Sequence, residues 1–216
     1  MNFDQARFFM IEQQIRPWDV LDPEILALLE STPRHLYVPE SQHKLAYSDL
    51  EIPIGEGEFM LSPKIEAKIL QAIDLDPQDR VLEVGTGVGY LTRLISQLAQ
   101  QVTSVEWYAS IAEQAKANLT SIDNVTVHQG DASQDWPDGE SYDAILITGA
   151  ITSIPKAYYD KLTLGGRLLA FVGQTPAISA TLVTRISDEE WIEESLFETD
   201  VAPLHSLQIR PNSFQF

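Results

Sequence analysis

The chain has 216 residues, of which 44% are apolar and 21% charged, and its 32 acidic and 14 basic side chains give a formal charge of −18. A chain of this size and composition can support its own core, and so acidic a surface repels polyphosphate, because nucleic-acid affinity rests on Lys and Arg displacing counterions. No nucleic-acid partner is expected.

Cysteine is absent, which removes disulfides, thiolate metal sites and Cys nucleophiles, and no metal site is proposed. No uncharged apolar run reaches the roughly 18 residues that cross a bilayer. The first fifteen residues carry Asp4, Arg7 and Glu12 instead of the unbroken apolar core of a secretion signal. A soluble, cytoplasmic protein without a membrane partner is expected.

Phe8, Phe9, Ile11 and Ile15 predict a helical stripe, and Asp22-Pro23 predicts the N-cap and first residue of a second helix running to about Ser31. Prolines 33, 39 and 53 break the next stretch into turns and short extended pieces. Ser62-Pro63 opens a helix to about Ile73. From Arg80, short apolar runs alternate with helical patterns: RVLEV, Tyr90 to Ala99, VTSVE, Ser110 to Leu119, VTVHQ, then YDAILIT, with RLLAFV from Arg167 as a fifth strand. That alternation predicts an α/β fold, a mostly parallel sheet flanked by helices. TLVTRI, WIEESLF and SLQIR, around the acidic turn Ser187 to Glu190, predict antiparallel edge strands. The expected organisation is one domain: a helical cap and acceptor-side segment (1–60), a βαβ core (61–175) and C-terminal edge strands (176–216).

VLEVGTGVGY, from Val81, predicts a buried strand ending in a glycine loop, Gly85, Thr86, Gly87 and Gly89, before a helix. Such glycines let backbone pass close to a ligand at the carboxyl end of the sheet. A dinucleotide fingerprint needs its third glycine where Tyr90 stands. The G-x-G-x-G spacing points instead to S-adenosylmethionine, which has no pyrophosphate. Glu106 closes the next strand, 21 residues after Gly85, where a carboxylate can accept from a ribose diol. Trp107 could pack on the adenine face, and Gly130-Asp131 after the third strand could read its amino group; the plainer readings are a core aromatic and a turn Asp.

The chain resembles the protein-L-isoaspartate O-methyltransferases, class I S-adenosylmethionine-dependent enzymes with a Rossmann-like seven-stranded sheet. The likeness lies in TPRHLYVP from Thr32, AYSDLEIPIGEG from Ala46, the glycine loop, VTSVE, HQGDAS, YDAILITGA, KLTLGGRLL and VAPL from Val201. It implies an O-methyl transfer to isoaspartyl residues of proteins, with S-adenosyl-L-homocysteine as product. It also implies an acceptor side built from Ile54, Gly55, Gly149, Pro203 and His205, with Thr148 beside the methyl group. The family's acceptor loop continues as G-Q-T-I-S-x-P, whereas this chain has Glu58, Phe59 and Leu61 at the glutamine, threonine and serine positions. Ser62, one place late, is either a substitute catalytic hydroxyl donor or a helix N-cap.

A carboxylate acceptor is ionised at neutral pH and needs no base, whereas an amine or phenol would need one, with histidines 35, 43, 128 and 205 as candidates. Besides isoaspartyl methylation, two readings stay open: a methyltransferase acting on another acceptor, including a small molecule, and a non-catalytic cofactor-binding protein.

Overall fold

The computed structural model of the protein describes residues 2–205. Helix α1 (Phe3–Met10), capped by the Asn2 side chain, continues through a wide π turn at Ile11–Ile15. The expected apolar stripe needs correction. Met10, Ile11 and Ile15 are buried, whereas Phe8 is 53% and Phe9 41% exposed. A π turn carries one residue more than an α turn, so positions 8 and 9 rotate away from the face that 11 and 15 present to the core.

Helix α2 (Pro23–Ser31) starts where Asp22-Pro23 predicts: Asp22 accepts from the amides of Glu24 and Ile25, and Pro23 fills a first-turn place that needs no donor. Prolines 33 and 39 precede short 3-10 turns at Arg34–Leu36 and Glu40–Leu45. A small antiparallel hairpin follows, β1 (Ile52–Gly55) and β2 (Glu58–Met60), turned by Glu56 and Gly57 at positive φ. Helix α3 (Pro63–Ile73) then begins after Ser62.

From Arg80 the elements are β3 (Arg80–Val84), α4 (Tyr90–Leu98), β4 (Gln101–Glu106), α5 (Ala109–Asn118), β5 (Val125–Gln129), β6 (Tyr142–Ile151), α6 (Lys156–Lys161), β7 (Leu162–Gln174), β8 (Ala177–Arg185) and β9 (Trp191–Thr199). The strands form one seven-stranded sheet in the order β5-β4-β3-β6-β7-β8-β9. The first five run parallel, and β8 and β9 add antiparallel at one edge. TLVTRI and WIEESLF belong to this edge pair, while SLQIR lies outside the described residues. Two features escape the sequence pattern. Helix α6 is six residues long with only Tyr158 buried, too short to show a period, and β7 begins at Leu162 because Leu162 pairs with Tyr142 ahead of a bulge that ends at Arg167.

The chain steps outward from β3 to β4 and β5, then returns to the other edge of β3 with β6. Loops that diverge at such a switch point leave a crevice beyond the carboxyl ends of the strands. Gly89 packs the start of α4 against the end of α5. It is the N-cap of α4 at φ 86, and a Cβ there would lie 2.8 Å from Leu119 Cδ1. Gly89→Ala should therefore lower stability by about 1–3 kcal/mol through backbone strain and overpacking, read as a shifted urea midpoint; an unshifted midpoint would contradict this packing role.

Candidate active site

A cleft of about 710 Å³, counting its open mouth, lies beyond the carboxyl ends of β3, β4, β5 and β6. One side chain organises its floor. Glu106 Oε2 accepts from the Gly87 amide at 2.9 Å and Oε1 from the Tyr108 amide at 3.0 Å, so a single carboxylate holds the loop after β3 against the loop after β4. Each oxygen keeps a second lone pair that could accept from a diol. Glu106 is only 5% exposed, and burial pushes its carboxyl above the ordinary range while the amide donors pull it back.

The glycine loop is pinned from two further sides. The Gly85 amide donates to the Val105 carbonyl at 2.9 Å, and Thr148 Oγ1 donates to the carbonyls of Val84 and Gly85 at 3.0 and 2.8 Å. A Cβ on Gly85 would collide with that Thr148 hydroxyl. Thr148 therefore lines the cleft with its hydroxyl committed to backbone. After β5, Gly130 passes close beneath the Trp136 ring, and Asp131 Oδ1 accepts from the Ser133 amide at 2.9 Å, so Asp131 both caps a turn and lines the cleft.

The acceptor-side residues arrive from two directions. The β1-β2 hairpin brings Ile54, Glu58, Phe59 and Leu61 to one wall, with Phe59 46% exposed. The opposite wall is the segment Val201 to His205. It is held by Ala150 donating to the Ala202 carbonyl at 2.9 Å and Leu204 donating to the Ala150 carbonyl at 2.8 Å. Gly149 is required there, since a Cβ would lie 2.7 Å from Leu204 Cα. Pro203 lines the cleft, and His205 lies against Trp107 and Tyr108 with ring centroids 5.1 and 5.4 Å apart. Burial raises the Glu58 carboxyl, and His205 opposes that shift from across the mouth.

Four expected site residues fall elsewhere. Thr86 turns its hydroxyl beneath the loop to Ser104 Oγ at 2.6 Å; Gly89 packs on Leu119; Gly55 sits at the hairpin turn facing open space; and Ser62 is buried, its carbonyl accepting from Ile65 and Glu66 at the start of α3. Ser62 is thus a helix cap through its backbone and not a wall of the cleft. Of the histidines, His35 stacks on Phe3 at 4.1 Å, His43 lies edge-on to the same ring, and His128 packs against Trp136, which leaves His205 in the cleft. Among the described residues no cluster of acidic or histidine side chains could hold a metal.

Three buried charged residues escape the sequence pattern. Glu83, fully buried in β3, accepts from Thr92 Oγ1 at 2.5 Å and from Ser104 Oγ at 2.6 Å, extending the Thr86–Ser104 contact under the glycine loop. Arg34 and Glu66 form an ion pair that is 0% and 2% exposed. The available signal was a charge inside an otherwise apolar element: Glu83 in RVLEV, and Glu66 on the α3 face shared with Leu70 and Ile73.

The family model described as Protein-L-isoaspartate(D-aspartate) O-methyltransferase matches residues 7–208. The chain belongs to this family. It is thereby an S-adenosylmethionine-dependent methyltransferase. A protein-L-isoaspartate O-methyltransferase of Synechococcus sp. (strain JA-2-3B'a(2-13)) is 35% identical over 94% of this chain and 86% of its own length. Another, of Methanoculleus marisnigri, is 40% identical over 85% of this chain and 84% of its own. A Plasmodium falciparum structure described as a β-aspartate methyltransferase in complex with S-adenosyl-L-homocysteine superposes with a TM-score of 0.79, covering 95% of this chain and 99% of that one; at 19% identity it supports the fold alone.

The buried Glu83 gives the family member a measurable signature. Burial pushes its carboxyl from 4.5 to about 7, against the hydroxyl donors. The folded state then holds the proton more tightly than the unfolded chain, so this group favours folding below about pH 4.5 and withdraws that support as pH rises through about 7. Glu66 contributes a slope of the same sign. Glu83→Gln should remove its share: relative to the parent, the variant gains about 1–3 kcal/mol between pH 5.5 and 8, measured by denaturant unfolding. An identical difference at both pH values would contradict a titrating Glu83.

Proposed function

We propose that the protein esterifies the carboxylate of isoaspartyl residues in peptides and proteins, consuming S-adenosylmethionine and releasing S-adenosyl-L-homocysteine. The observation that carries this reading is the meeting of the β1-β2 hairpin and the Val201–His205 segment directly over the loops that Glu106 holds together. In this reading Glu106 takes the ribose diol, Trp107 lies against the adenine, and Asp131 with the adjoining backbone reads the adenine edge. When bound, the cofactor supplies a methyl group on a positively charged sulfur.

The chain's own contribution is positioning. Ile54, Phe59 and Leu61 on one wall and Pro203 on the other confine the acceptor carboxylate in line with the methyl. That carboxylate is ionised at neutral pH, so no base is required; His205, within 3.3 Å of the Tyr108 hydroxyl, stays a wall residue. Apolar walls favour the step because opposite charges vanish as it proceeds. The −18 charge further supports a peptide acceptor over a nucleic acid.

Phe59 and Leu61 offer no hydroxyl to the acceptor. A hydrogen bond to a charged group contributes roughly 1.5–3 kcal/mol, so isoaspartyl turnover should be one to two orders of magnitude below that of a loop with the threonine or serine in place. The exposed Phe59 ring at the mouth favours one second reading, a less anionic or larger acceptor on the same cofactor. Purified protein with labelled cofactor should esterify an isoaspartyl peptide and leave its aspartyl counterpart unlabelled. Phe59→Thr should raise kcat/KM for that peptide about tenfold at unchanged melting temperature, as the ring is half exposed. No labelling of the isoaspartyl peptide by either protein would overturn the proposal.

A further inference from the structure

Behind the cleft lies a smaller recess that shares Leu61, Gly85, Gly87 and Thr148 with it and is floored by Glu66 and Tyr90. Glu66 comes from the apolar face of α3. Its Oε2 is taken by Arg34 Nη1, while Oε1 makes no hydrogen bond to the described residues, and the little of Glu66 that is accessible opens into the recess. Arg34 is fixed in turn: its Nη2 donates to the Leu61 carbonyl, and its guanidinium sits 5.1 Å over the Tyr90 ring. One carboxylate oxygen is thereby held toward the recess by a side chain that cannot itself turn.

A buried ion pair by itself adds little stability, so its place beside a ligand cleft points to a role in binding. Burial is the largest influence on the Glu66 carboxyl and raises it even with Arg34 against it, so a further cationic group at its free oxygen would favour the ionised form. With the adenosine over Glu106 and the sulfur near the Gly85–Gly87 loop, the recess is the space left for the amino-acid end of the cofactor, which carries an ammonium group.

We infer that Glu66, oriented by Arg34, binds the α-ammonium of S-adenosylmethionine and S-adenosyl-L-homocysteine. The inference rests on the proposed placement of the cofactor in the cleft. Arg34 is a positioning residue, tying the same carboxylate to the acceptor loop through Leu61, so cofactor capture and the shape of the acceptor wall share one fixed point.

Calorimetry with S-adenosyl-L-homocysteine and its desamino analogue tests this. The parent protein should prefer the amino compound, and Glu66→Gln should weaken that compound's binding about 10- to 100-fold while leaving the analogue unchanged. Glu66→Gln leaves Arg34 buried without a partner and could unfold the chain. The double variant Arg34→Met/Glu66→Met replaces the pair by apolar groups, an exchange that buried pairs generally tolerate, and its fold is checked by near-UV circular dichroism. Loss of the amino preference in this folded variant supports the inference, and a preference equal to the parent's overturns it. Failure of the parent to bind either compound would instead overturn the cofactor placement itself.

Discussion

The carboxylate of Glu106 joins the loops that follow two neighbouring strands, β3 and β4, into one floor. At the switch point the connections from β3 and β6 leave in opposite directions, and the Thr148 hydroxyl at the β6 end holds the two together through the Val84 and Gly85 carbonyls. By accepting one amide from each of the loops after β3 and β4, Glu106 makes their ends a single surface beside that divide. Its burial costs solvation, which the two amide donors offset, and the side chain lines the cleft.

Around that fixed point the rest of the fold supplies walls. The N-terminal segment does so through Arg34, which reaches the Leu61 carbonyl and places the end of the hairpin. The C-terminal segment does so by pairing with the exposed end of β6, where Gly149 and Ala150 accept a neighbouring chain at close range. Cofactor-side and acceptor-side groups thus belong to different parts of the sequence but share backbone contacts. A change in the cap can therefore be felt at the methyl-transfer site without touching either substrate.

Much of this was legible because period and punctuation coincide. Alternating apolar runs and helical stretches announce the parallel sheet, and glycines at 85, 87 and 89 mark the loop, although Gly89 proves to serve packing against Leu119. Phe8 and Phe9 misled because a π turn, invisible to a 3.6-residue period, shifts the buried face. Ser62 sat beside two lost hydroxyls in the chain but is buried at the N-cap of α3, where Pro63 holds it extended and its carbonyl accepts from the first turn. The polar layer of Glu83, Ser104, Thr92 and Thr86 and the Arg34–Glu66 pair depend on partners 9 to 32 residues apart, which no local pattern reports.

The most direct measurement is a titration of S-adenosyl-L-homocysteine into the parent protein and into Glu106→Ala, with both folds confirmed. The account predicts one equivalent bound by the parent and an affinity at least about 100-fold weaker in the variant, which loses charged acceptors and the clamp on Gly87 together. Equal binding by the two proteins, or none by the parent, would contradict it.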